Sequence, residues 1–225
     1  FFLIGWSVVF LINGGDINGV NMEDVMYLWS IPTIAFGVAY FLFGGVTTIS
    51  QSMITGGFDV YMLQPKYPLI TILTSKSIFA AVGDLLYGIL MLLLATHFEI
   101  GKILIGLLLG IISSTIYLSM EIIIRSLSVW LGDTDLIAER HINTLLITLS
   151  TYPERIYPTV VKIIAYTIIP SAYMAFVPIH IVEFWDISSF IIFITAIFFF
   201  SGLAIFVFHK AIARYESGNQ IAMKD

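Results

Sequence analysis

The sequence predicts an all-α polytopic membrane protein with six transmembrane helices, the first truncated, and a re-entrant helical hairpin before the last. Three observations carry this. The 225 residues are 59% hydrophobic and 11% charged, with mean hydropathy +0.98. A water-soluble domain carries about 25% charged residues, so most of this surface must be solvated by lipid. Apolar runs long enough to cross a bilayer, which takes about 20 residues as a helix, recur along the chain. Polar and charged residues gather at the ends of those runs.

Phe1–Ile12 opens inside an apolar run, so the first span is expected to be cut short and the natural chain to begin earlier; no positive leader or small-residue cleavage site marks it as a signal peptide. After the polar stretch Asn13–Asp24, a second span runs from about Val25 to Thr55. The segment Gly56–Pro68, GGFDVYMLQPKYP, punctuates the pattern: two glycines release the helix, Pro65 and Pro68 delay the next, and Asp59, Gln64 and Lys66 need water or a protein partner. A third span follows over Leu69–Thr96, a turn over His97–Lys102, and a fourth span over Ile103–Leu131. GDTDLIAER, Gly132–Arg140, breaks the pattern before a fifth run at about His141–Thr151. Ile187–Phe208 forms the last, Phe-rich and lipid-facing.

Between the fifth and last runs, Tyr152–Glu183 is apolar yet interrupted by Pro153, Pro158, Pro170 and Pro178, with Lys162 inside it. This suits a re-entrant pair of short helices packed against protein, since irregular backbone at membrane depth needs protein or a water cavity around it. With six spans both ends share one side. That side holds Lys66, Lys76, Arg125, Arg140, Lys210, Arg214 and Lys224 against Lys102, Arg155 and Lys162 opposite, and the basic excess makes it cytoplasmic. The whole chain is then one transmembrane domain with a cytoplasmic elbow at 56–68, an extracellular re-entrant region at 152–183 and a cytoplasmic tail at 210–225.

Three residues place charge inside apolar runs. Asp84, near the middle of the third span, should face protein or water, because an ionised carboxylate there costs about 2.5–3.5 kcal/mol on insertion scales. It is either on a transport path or a packing lock. Glu121 and Arg125 stand at i and i+4, the orientation that favours an intrahelical pair, and Arg125 is close enough to the helix end to snorkel.

Several functions are excluded or weakened. Net charge is −5 with no basic surface, so nucleic acid is not an expected partner. Zero cysteines remove disulfides and thiolate chemistry. There is no H-E-x-x-H, and His97, His141, His180 and His209 are scattered, so no metal site and no intramembrane enzyme is favoured. No phosphate-loop motif occurs; GKILIG at Gly101–Gly106 has the wrong order. A gradient-driven transporter would show repeated halves, and none is evident. Gly44, Gly45, Thr47, Thr48, Ser50 and Ser52 fit close helix packing better than a path.

GGFDVYMLQPKYP after the second span, SLSVWLGDTD ending the fourth, and TYPERIYP with IIPSAYMAFVP before the last together resemble the permease subunits of ATP-binding-cassette exporters. The match is to the six-span class without a fused ATPase, the second exporter type, closest to a bacterial family of uncharacterised ABC permeases. Gly57, Asp59, Leu63 and Pro65 fill the family's first motif; Tyr152, Pro153, Tyr157, Pro158, Ile169, Pro170 and Pro178 fill its last. Family members begin with a basic amphipathic segment on the cytoplasmic face; it is absent from residues 1–225, so that part of the expected ATPase contact has no residues assigned. The resemblance implies a bacterial plasma-membrane exporter subunit pairing with a second permease, identical or related. Two cytoplasmic ATPases would supply ATP and Mg chemistry that this chain lacks. Gly57, Asp59, Tyr61, Leu63, Gln64, Pro65 and Lys66 would form the coupling element, and Tyr152, Pro153, Tyr157, Pro158, Pro170 and Pro178 an external gate. The cargo implied is hydrophobic, amphipathic or peptide-like.

Overall fold

A computed structural model describes residues 2–12, 14–15, 19–135 and 143–216. Residues 136–140 of the charged break, the start of the expected fifth span at His141, and 217–225 of the tail lie outside them. After α1 (Phe2–Ile12), α2 (Met22–Phe43) starts at a reciprocal cap. The Asn21 side chain accepts the Asp24 N–H, and the Asp24 carboxylate accepts the Asn21 N–H, each at 2.9 Å. A 3-10 turn over Gly44–Thr48 carries α2 into α3 (Ile49–Ile54), so that 22–54 makes one apolar span of 33 residues.

The elbow holds α4 (Asp59–Met62), and the third apolar run is divided into α5 (Pro68–Leu73) and α6 (Ala81–Ala95). No proline causes this break. The Thr74 and Ser75 hydroxyls donate back to the Ile70 and Ile72 carbonyls, competing with helix continuation. The Ile78 N–H then donates to the Tyr40 carbonyl at 3.1 Å, one of the last acceptors of α2. Such an approach requires Gly45, where an added Cβ would lie 1.8 Å from the Ile72 carbonyl oxygen. Asp84 consequently falls in the first turn of α6 rather than mid-span.

The fourth run forms α7 (Ile100–Ser126) continued by α8 (Ser128–Leu131). α9 (Asn143–Thr151) is only nine residues, about 13 Å at 1.5 Å per residue. α10 (Thr159–Thr167) and the 3-10 turn with α11 (Phe176–Phe184) meet at a 74° bend, and α12 (Ile187–Arg214) ends the bundle. Among the described residues, Met22–Ile54, Ile100–Leu131 and Ile187–Arg214 are long and apolar enough to cross a membrane, four if the bent pair counts as one span. The third run is thus a broken element and the fifth a short one, within a polytopic helical bundle.

α2 sits centrally against α6 and α7, and α12 packs on α7 and α11. Gly88 of α6 lies so close to α2 that an added Cβ would be 2.9 Å from the Ile34 nitrogen; small residues at contacts are how helices associate without a hydrophobic drive in lipid. Phe198, Phe199 and Phe206 of α12 are exposed.

Arg125, Glu121 and Asp135 form a charged triad within the bundle. Arg125 Nε donates to Glu121 Oε2 at 2.6 Å, as the i,i+4 spacing requires, but Arg125 does not snorkel: it is 4% exposed. Its Nη1 turns inward to Asp135 Oδ1 at 2.5 Å and to the Thr47 carbonyl at 3.4 Å. The guanidinium therefore joins α7 to the 3-10 turn below α2 and to the chain after α8.

At the opposite end, Asp186 caps α12, accepting the Ser188 and Ser189 N–H groups and the Ser189 hydroxyl. These bonds hold its carboxyl below the usual aspartate range.

Arg125→Met leaves the buried Glu121 uncompensated and should destabilise by about 3–5 kcal/mol. Glu121→Gln combined with Arg125→Met should recover much of that, which thermal unfolding in nanodiscs reads directly. Because the Asp186 carboxyl is depressed, its stabilisation is present above about pH 3.9 and lost as pH falls through its lowered value. The thermal-midpoint gap between wild type and Asp186→Ala should accordingly close on acidification.

Candidate functional site

The elbow is fixed at both ends to α12. Gly56, at φ 77°, makes the left-handed turn that ends α3; Gly57 is not under that constraint. The turn aims Phe58 inward. It is fully buried, with ring centroids 5.9 Å from Phe208 and 5.5 Å from Tyr215 at the end of α12, and 5.9 Å from Tyr61. Burial, followed by the neighbouring Asp59 carboxylate, pushes the Tyr215 phenol up to about 12. At the other end the Tyr67 hydroxyl lies 3.0 Å from His209 Nε2.

Between these anchors the chain presents a blunt tip. Val60, Met62 and Leu63 are exposed, Leu63 by 86%, beside exposed Gln64, Pro65 and Lys66. Of the seven expected coupling residues, Leu63, Gln64, Pro65 and Lys66 form the tip, whereas Gly57, Asp59 and Tyr61 lie half-buried on its inner side. Phe58, Val60, Met62 and Tyr67 were missed. The available signal was an apolar set in a segment too polar to be a span.

Inside the bundle the three intramembrane polar residues line or border one space. A cavity of about 640 Å³ is walled by Tyr40, Lys76, Asp84, Arg125, Asp135 and Asn143. A second, of about 280 Å³, is walled by Trp29, Tyr87, Tyr117, Ser150, Thr151 and Met174 among others, and Phe36, Asp84 and Ile147 belong to both. Glu121 stands behind Arg125, fully buried. Tyr117 donates to Asn143 Oδ1 at 2.9 Å, Asn143 Nδ2 donates to the Tyr40 hydroxyl at 3.2 Å, and the two hydroxyls stand 3.1 Å apart. This ring fixes α9 across α2 and α7. Asp84 has no hydrogen-bond or ion-pair partner among the described residues.

The end of the bundle opposite the elbow gathers the remaining site residues. Tyr157 donates to the Thr148 carbonyl at 3.0 Å, holding the segment after Pro153 against α9. Pro158 precedes α10, Pro170 sits at the 74° bend, and Pro178 occupies the first turn of α11, where a missing N–H is tolerated. Pro153, Pro170 and Pro178 are buried, and Tyr152 is exposed beside Trp6, centroids 6.4 Å apart. Arg155 reaches the Gly19 carbonyl at 2.6 Å, and His97 pairs with Glu23 at 2.9 Å, so these groups share the end opposite the elbow.

The model of a family described as ABC-2 family transporter protein matches residues 1–219. No curated protein and no solved structure matches the chain. The matched span takes in the elbow, both cavities and the proline-rich segment 152–183. The chain belongs to the ABC-2 transporter family, as a membrane permease component that works with ATP-binding subunits rather than an ATPase itself.

Proposed function

We propose that this chain is the permease half of a bacterial plasma-membrane exporter. It pairs with a second permease and two cytoplasmic ATPases that bind ATP and Mg, and it moves a hydrophobic, amphipathic or peptide-like compound. The observation that carries the reading is the elbow: an exposed apolar tip anchored through Phe58 and Tyr67 to α12. A loop merely solvated at a lipid boundary has no need to hold Val60, Met62 and Leu63 in water. A groove on an ATPase would cover them, and Lys66 gives the contact one charge. The basic excess on the elbow side supports its cytoplasmic placement.

In this mechanism, closure of the ATPases on ATP pushes the tip, and the push enters α12 through Phe58 and the Tyr67 to His209 contact as well as α3. The Pro-rich segment Tyr152–Pro178 closes the outer end of the path and yields when the helices rock. Export direction is inherited from the resemblance to exporters.

Native mass spectrometry of the assembly extracted from its own membrane tests the reading. Two ATPases with two permeases are expected, and a stable assembly without ATPase would point instead to gradient-driven transport. Leu63→Asp should weaken retained ATPase about tenfold, the ~1.4 kcal/mol of an ordinary interface anchor. Phe58→Leu should keep the ATPase bound yet uncouple hydrolysis from transport; equal loss of both would reduce Phe58 to a folding residue.

A further inference from the structure

We infer that the two adjoining cavities, which share Phe36, Asp84 and Ile147 in their walls, form a binding site for a cationic amphiphile, its amine at Asp84 and its chain in the aromatic compartment. The transport meaning of this site rests on the exporter reading above; the binding itself does not.

The larger cavity, about 640 Å³, falls within the range of small-molecule sites. Its charges are unequally committed. Arg125 is already held by Glu121 and Asp135, leaving Lys76 and Asp84. Lys76 is exposed, and its stem can carry the ammonium toward water. Asp84 is half-buried, unpartnered among the described residues, and placed where the two cavities meet. Among the described residues, with every group ionised, Asp84, Asp135 and Glu121 oppose Lys76 and Arg125, three negative charges against two, a balance that favours one added cation. An anionic head would meet an uncompensated carboxylate at the junction.

The walls agree with the charge. Trp29 and Tyr87 meet edge to face at 6.4 Å, and Phe36 packs on Tyr40 and Tyr117 with centroids 4.6 and 5.4 Å away. Aromatic faces beside a carboxylate recognise ammonium groups through ring quadrupoles and charge together. Beyond Asp84 the smaller cavity offers Trp29, Tyr87 and Met174, an apolar lining with an adaptable thioether, suited to a chain rather than a second charge. One charged end and one apolar end, joined at a single acid, describe an amphiphile with one amine.

The probe is 12-bromododecyltrimethylammonium, whose terminal bromine quenches tryptophan fluorescence on contact, titrated onto the full chain in nanodiscs. Saturable quenching is expected, removed by Trp29→Phe. Asp84→Asn should weaken the apparent affinity at least tenfold while Asp84→Glu retains it, both variants being checked for an unchanged thermal midpoint. A bromododecyl maltoside of the same chain length should give no saturable quenching. Equal quenching by charged and uncharged probes, unchanged affinity in Asp84→Asn, or no quenching at all would overturn the assignment, leaving the space to lipid or the second permease. Loss of probe binding with ATPases still bound refutes only the ligand class. Probe binding retained in an assembly without ATPases refutes only the exporter reading.

Discussion

A guanidinium buried in protein must be neutralised and hydrogen-bonded where it stands, and Arg125 meets that demand by drawing three separate pieces of chain together. Glu121 comes from its own helix, Asp135 from the chain beyond α8, and the Thr47 carbonyl from the turn below α2. Each contact fixes something further along. The 3-10 turn held at Thr47 brings Gly45 against the end of α5, and α5 and α6 can separate there because Ile78 finds the Tyr40 carbonyl. The connecting segment and the start of α6 then wall the larger cavity together with α2 and α9, with Arg125 in its wall. A buried pair of this sort contributes little net stability, so its value lies in the arrangement it enforces.

Directly after α3 the chain leaves the bundle and returns, and this excursion is where force would enter. Phe58 makes it rigid relative to α12 by the same logic a core uses, a fully desolvated ring among rings. α12 in turn packs along α7, the helix that carries the triad. Elbow, α12 and triad are therefore connected through packed contacts, the requirement for coupling a cytoplasmic event to the membrane interior.

The sequence made the membrane class legible because charge scarcity is a property of the whole chain. It also made the Glu121 to Arg125 pair legible, since i,i+4 geometry is local, and the proline-broken outer region, since proline acts on its own backbone. What it concealed was tertiary. Thr74–Ala80 carries no proline or glycine that would end a helix, and its break is completed by Gly45 and Tyr40, some 30 residues earlier. Arg125 near a helix end suggests snorkelling unless Asp135 is seen beside it. Phe58 reads as a loop residue until α12, about 150 residues later, supplies its pocket. Asp84 stands out in the sequence as an acid within an apolar run, while its place in the walls of two cavities depends on several helices meeting.

The central claim is that the elbow and the end of α12 move as one body. The chain has no cysteines, so spin labels at Lys66→Cys and Lys210→Cys can be introduced without background. Pulsed electron resonance on the assembled complex, with and without ATP trapping, measures their separation. The account predicts a distance constant to within about 2 Å, while the separation between elbow labels at position 66 in the two permeases changes. A larger change between 66 and 210 on ATP trapping would contradict it, placing the transmission through α3 alone.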